Sequence, residues 1–177
     1  MTTGHVFIAT SLDGFIARPD GSLDWLTGVH TDGEDHGYDR FIADMDGIVM
    51  GRETFQTILG FGDWPYKKPV IVLSHSLTEA DIPEACQGRV TLSTQDPRAL
   101  MASLSAQGWS KAYIDGGAVI RSFIKDGLIS EITITQLPIL IGQGRRLFGS
   151  LQQDMTLDCL AVNHFPSGLV QVRYHLT

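Results

Sequence analysis

The segment Lys111-Ala112-Tyr113-Ile114-Asp115-Gly116-Gly117-Ala118-Val119-Ile120 changes its hydrophobic period at two glycines. Before Gly116 the apolar run is short and holds aromatic and β-branched residues, as a buried strand does. After Gly117, Val119, Ile120, Phe123 and Ile124 recur at helical spacing. The order is strand, tight turn, helix. Lacking a Cβ, Gly116 and Gly117 reach conformations closed to other residues and let a bound group approach the main chain. The first amides of the helix, at its positive dipole end, suit a phosphate. A bare strand-to-helix turn with nothing bound is the alternative reading of an isolated Gly-Gly.

A second corner of the same kind lies upstream. Gly47-Ile48-Val49-Met50-Gly51 reads as a buried strand, and Arg52-Glu53-Thr54-Phe55 opens a helix at once. Gly51 marks the turn, the Arg52 guanidinium suits a phosphate, and the Thr54 hydroxyl is free to bond a second one. Two such corners fit a dinucleotide with separated phosphates. Residues 69–74 form a third strand ending in Ser74-His75-Ser76, whose small polar groups can meet the same ligand; His75 taken alone fits a solvated loop.

Around these corners, residues 5–10 read as a central strand buried on both faces. Asp13-Gly14 and Asp20-Gly21 are turn signals around a short apolar segment that closes on Trp25. That loop shapes a pocket, or else is a surface hairpin plugged by Trp25. Between His30 and Asp46 the chain is acidic and then amphipathic, with Tyr38, Phe41, Ile42 and Met45 on one helical face. Asp32, Glu34, Asp35 and His36 cluster at its beginning. They serve the helix dipole and its orphan amides, or supply a proton-donating acid; the spacing matches no metal site. Residues 89–93 predict a strand, Asp96-Pro97 a capped helix start, and Gly108 its stop. From Glu131 the pattern turns to strands, with a glycine-rich connection over residues 142–148 and a hairpin of residues 156–164 and 169–176 around Pro166-Ser167-Gly168. Early strands alternate with helices and late strands pair with each other. The expected fold is α/β: a mainly parallel central sheet flanked by helices, with an antiparallel C-terminal hairpin.

At 177 residues and 43% hydrophobic, one core suffices, and a single domain over residues 1–177 is expected. The net charge of −7, without a basic run, argues against nucleic acid or an anionic membrane as partner. The first residues carry no basic targeting region and no apolar run reaches the roughly 20 residues of a membrane span; a cytoplasmic protein with a small-molecule partner is expected. Cys86 and Cys159 fit buried thiols rather than a disulfide framework or a zinc site.

The dinucleotide fingerprint G-x-G-x-x-G is absent after the first strand, where Ser11-Leu12-Asp13-Gly14 stands instead. Residues 9–17 and 20–26, Gly51-Arg52-Glu53-Thr54-Phe55, Asp115-Gly116-Gly117-Ala118 and Gly142-Gln143-Gly144, in that order, resemble the dihydrofolate-reductase-like fold. In particular they resemble the reductase domain of the bifunctional riboflavin-biosynthesis deaminase-reductase. The resemblance spans nearly the whole chain and implies an NADPH-dependent reductase of a nitrogen heterocycle or imine. By position it puts Arg52 at the 2′-phosphate, Thr54 with Gly116, Gly117 and Ala118 at the pyrophosphate, Ser74 and His75 beside the adenosine, and Ala9 near the nicotinamide. The loop from Leu12 and Asp13 to Trp25 would cover the nicotinamide and the substrate, with Tyr38 beside them.

This chain also departs from that family. The riboflavin reductase domain has a lysine where Phe7 stands, and it uses arginines for its substrate's ribose phosphate in the segment that here reads Glu34-Asp35-His36-Gly37-Tyr38-Asp39-Arg40-Phe41-Ile42. The deaminase signature, H-x-E followed by P-C-x-x-C, is missing. Relative to Gly51-Arg52, Asp35 stands about where classical dihydrofolate reductase keeps its folate-binding acid, so folate reduction is one alternative. A non-catalytic NADPH-binding protein is another. Hydride transfer also needs a proton for the neighbouring nitrogen. Asp35 is the first expected donor and Asp115, at the end of its strand, the second. The apolar late strands point to a homodimer through the C-terminal edge.

Overall fold

The computed structural model describes residues 1–31 and 33–177; Asp32, named above in the acidic cluster, lies outside them. In chain order the elements are β1 (Thr3–Ser11), β2 (Phe15–Ala17), α1 (Asp24–Thr27), α2 (Tyr38–Ala43), β3 (Gly47–Gly51), α3 (Arg52–Leu59), β4 (Val70–Leu73), β5 (Val90–Ser93), α4 (Pro97–Ala106), β6 (Lys111–Asp115), α5 (Gly117–Lys125), β7 (Ile129–Leu137), β8 (Arg145–Arg146), β9 (Leu157–His164) and β10 (Val170–Leu176). The main sheet runs in the order β5-β4-β3-β6-β1-β7-β10-β9. From β5 to β7 every pairing is parallel, and β10 and β9 add the antiparallel edge. This is the mostly parallel sheet with a closing hairpin expected from the periodicity, on the dihydrofolate-reductase-like fold.

Strand alternation divides the core between the two faces of the sheet. Val49 of β3 with Ala112 and Ile114 of β6 meets Leu100, Met101 and Leu104 of α4 and Val119, Ile120, Phe123 and Ile124 of α5. On the opposite face, Ile48 and Met50 of β3 with Tyr113 of β6 meet Phe55 and Ile58 of α3, with Phe7, Phe41 and Ile42 packed alongside. The parity matters for the site. Two residues beyond Tyr113 on the same strand, Asp115 shares the α3 face.

The helix starts follow their sequence signals. The Asp96 carboxylate accepts from the Ala99 amide at 2.9 Å, Pro97 takes the first turn, and Gly108 at φ +89° follows the end of the helix. By contrast α3 and α5 begin at Gly51 and Gly116 with no side chain capping their amides. The expected amphipathic helix after His30 is shorter than its pattern. It starts only at Tyr38, behind Gly37, and Met45 packs from the turn that follows.

One pairing has no counterpart in the sequence reading. Within the long first loop, β2 pairs antiparallel with β8 in the glycine-rich connection, as a separate two-stranded sheet. The Asp13 carboxylate strengthens this link by accepting from the Gly142 amide at 2.7 Å and the Ile141 amide at 3.3 Å.

Candidate functional site

At the C-terminal ends of β1, β3, β4 and β6 a cleft of about 1610 Å³ opens, lined by both glycine corners and the first loop. Single-ligand pockets usually span about 300–1,000 Å³. This one has room for a dinucleotide and a second molecule.

The corners are neighbours because β3 and β6 pair in parallel, Met50 opposite Asp115. They also touch. Gly116 sits at φ +87°, and a Cβ there would run into the Thr54 hydroxyl, so only glycine lets the α3 start and the α5 start close on each other. A Cβ on Gly51 would press on Val119 at 3.1 Å, and one on Gly117 would meet Ile16 of the first loop at 2.5 Å. The result is a shallow backbone cradle under the uncapped amides of two helices.

Beside it, the Arg52 guanidinium donates to the Ser76 hydroxyl at 2.9 Å, and the Ser74 hydroxyl accepts from the Ser76 amide at 3.1 Å. Arg52, Ser74, His75 and Ser76 all line this end of the cleft, with Ser93, Thr94 and Gln95 next to them. Their chemistry is that of a phosphate corner: one fixed guanidinium, several hydroxyls, no carboxylate bonded among them. Ala118 is exposed at the first turn of α5, and Ala9 also lines the cleft.

The floor has a different character. Asp115 reaches the cleft beneath Gly116, whose amide donates to its carboxylate at 2.8 Å. Protein packs closely around the carboxyl, and this desolvation outweighs the Gly116 amide and the nearby Tyr113 hydroxyl, raising its pKa to about 6. Three phenols surround it. Burial first, and then the Asp115 charge, push the Tyr38 hydroxyl up to about 12, with Tyr66 and Tyr113 raised further. The Tyr113 hydroxyl donates to the Phe7 carbonyl at 3.1 Å. Phe7 in turn packs on Tyr38 and Phe41, ring centres 5.6 and 5.1 Å away.

Several residues expected at the substrate stand elsewhere. Asp35 is exposed, does not line the cleft, and accepts from the Gly37 amide at 2.7 Å, a local turn that fixes the approach to α2. Trp25 is 5% exposed and packs on Leu137 and Leu169, making it the loop's anchor rather than a wall of the cleft. Its neighbours Leu23 and Leu26 line the cleft instead. Leu12 is 54% exposed and does not line the cleft, and Asp13 is engaged with the Gly142 loop. Tyr38 backs Phe7 and Tyr113 without itself lining the cleft.

Other lining residues escaped the sequence reading: Tyr66, Tyr113, Phe7 as a wall, and Arg121, Arg145 and Arg146 at the rim. Tyr113 was readable, since it lies two residues from Asp115 on one strand and so shares its face. Tyr66 had no such signal. It follows α3 in an irregular stretch and meets the site only through tertiary packing.

The RibD C-terminal domain family matches residues 3–171 of this sequence. The chain belongs to that family. The uncharacterized protein YwjB of Bacillus subtilis is 34% identical over 173 residues, covering 96% of this chain and 95% of the relative. A solved structure from Shewanella sp. PV-4, described as a candidate riboflavin biosynthesis protein, is 41% identical with TM-score 0.93, covering 99% of both chains. The deaminase/reductase of Thermotoga maritima, whose second named activity is 5-amino-6-(5-phosphoribosylamino)uracil reductase, shares the fold at TM-score 0.76 and 12% identity. It covers 99% of this chain, which in turn spans 57% of that longer protein. Among the described residues of this RibD C-terminal domain protein, no helix is long and apolar enough to cross a membrane, and no group of three or more His, Cys, Asp or Glu side chains could hold a metal ion.

Proposed function

We propose that this protein is a cytoplasmic, NADPH-dependent reductase of a pteridine- or pyrimidine-type small molecule, with residues 1–177 acting as one reductase unit. The observation that carries the reading is the closure of Thr54 on Gly116, which joins two uncapped helix starts into one cradle beside Arg52 and its serines. The residues present fit the cofactor. In this reading Gly116, Gly117, Ala118 and Thr54 hold the pyrophosphate, Gly51 allows its approach, Arg52 with Ser74, His75 and Ser76 takes the 2′-phosphate end, and Ala9 borders the nicotinamide. Bound there, NADPH supplies the hydride. The chain's own part is to orient the acceptor, exclude water beneath the first loop, and hold a proton on the Asp115 carboxyl, whose raised pKa keeps a protonated fraction near neutrality.

The test is a fluorescence titration with NADPH and with NADH. Wild-type protein is expected to bind NADPH at least tenfold more tightly, about 1.4 kcal/mol, and Arg52→Ala to lose that preference while keeping its affinity for NADH. No saturation with either cofactor overturns the reading.

A homodimer through the C-terminal edge belongs to the same proposal. β9 ends the sheet with one side unpaired, and Leu157, Leu160 and Val162 are exposed along it at 36%, 45% and 62%. A bare apolar edge of this kind is a template for a second copy. Light scattering at micromolar concentration should give twice the mass of one chain; a single-chain mass removes the dimer.

A further inference from the structure

Four arginines line the cleft, and the contacts they make are with groups other than its aromatic floor. Arg52 is bonded to Ser76, and Arg121 donates to the Arg146 carbonyl at 2.6 Å. Arg145 is paired with Glu53 at 2.5 Å, and Arg146 lies over the Phe15 ring, 4.6 Å from its centre. The floor is formed by Phe7, Tyr66, Tyr113 and Asp115, backed by Tyr38 and Phe41. Among the described residues no Lys lines the cleft, and none of its four arginines is bonded to these floor residues. Apart from one another, the ionisable groups that act on its phenols are Asp115 and, at Tyr38, Asp39, all of them acidic. A phosphate placed there would lose its hydration without gaining one cationic partner, and would face a carboxyl group. Ring faces and edges, by contrast, receive a flat conjugated molecule well.

We infer that the substrate end of the cleft selects a planar nitrogen heterocycle bearing no phosphate or other anionic group, with Phe7 and Tyr66 as the specificity-determining residues beside Asp115. This inference rests on the reductase reading above and separates this chain from a reductase of a phosphoribosylated pyrimidine, the activity named for the Thermotoga maritima protein.

The experiment is calorimetric titration of the NADP⁺-saturated protein, which cannot turn the compound over, with 5-amino-6-(5-phosphoribosylamino)uracil and, separately, with the same compound after phosphatase treatment. The dephosphorylated compound is expected to bind at least tenfold more tightly. Phe7→Lys, checked for folding by circular dichroism, is expected to shift the ratio of affinities at least tenfold toward the phosphate. Equal or tighter binding of the phosphorylated compound by wild-type protein overturns the inference, as does failure to bind either one. Should Phe7→Lys not fold, the wild-type pair alone decides. If NADPH itself fails to bind, the reductase reading falls, and the same pair titrated into cofactor-free protein still decides what this end accepts.

Discussion

Gly116→Ala is expected to weaken NADPH binding about a hundredfold in the proposed cradle. Two costs coincide at this residue. Alanine at φ +87° stores backbone strain on the order of 1–3 kcal/mol, and its methyl group overlaps the Thr54 hydroxyl, forcing the two helix starts apart. The second cost falls on the ligand, because the cradle depends on both sets of amides being aimed at one place. Gly88→Ala supplies the comparison: Gly88 has φ +74° but open space where a Cβ would stand, and it does not line the cleft. That variant should lose some thermal stability and keep its cofactor affinity. An unchanged NADPH affinity in folded Gly116→Ala would remove the pyrophosphate from this corner.

Asp115→Asn is expected to lower kcat by roughly 10²–10⁴-fold, the usual contribution of a positioned acid. With its pKa raised to about 6, the carboxyl is mostly protonated below pH 6 and loses its proton above it. Turnover of the wild type should therefore be flat below pH 6 and fall about tenfold per unit above, while the variant shows no such step. Wild-type stability also falls as pH rises, but over a lower window. The unfolded chain ionises Asp115 near 3.8 and the folded chain only near 6, so the folded state is penalised as pH rises through that window and fully penalised above it. One pKa unit is about 1.36 kcal/mol, giving a penalty of up to about 3 kcal/mol. Asp115→Asn is free of it, so its Tm relative to wild type should increase between pH 4 and pH 7. Wild-type turnover in the variant at every pH would end the proton-donor assignment, whatever the Tm shows.

What the sequence made legible is what depends on local chemistry. Strand, glycine and helix follow one another at residues 47–55 and 111–120 because periodicity and backbone freedom are written residue by residue. The parallel sheet follows from strands that alternate with helices. The substrate end was not legible in the same way. Asp35 drew attention as a carboxylate ahead of an amphipathic helix, but its side chain is spent on the Gly37 amide two residues on, as Asp so often is before a glycine turn. Trp25 reads equally as a pocket wall or as the plug of its loop, because an indole flanked by Leu23 and Leu26 can turn either way, and burial against Leu137 and Leu169 makes it the plug. Nor could spacing reveal that β2 would meet β8, some 130 residues away, since neither segment is long enough to announce a strand.

The position of β6 bears on how the molecule comes into being. It lies between β1 and β3, with Thr3 opposite Lys111 and Gly47 opposite Ala112, so the centre of the sheet is completed by a segment made long after both its neighbours. Closing so long a loop costs entropy before any contact repays it, which places this insertion among the slower events of folding. A growing chain that has reached only α4 owns the Gly51 corner but neither the Gly116 corner nor the acid below it. If the proposed cradle holds NADPH, binding must wait until β6 is in place, and the cofactor would then draw the folding equilibrium toward chains that have inserted it by mass action.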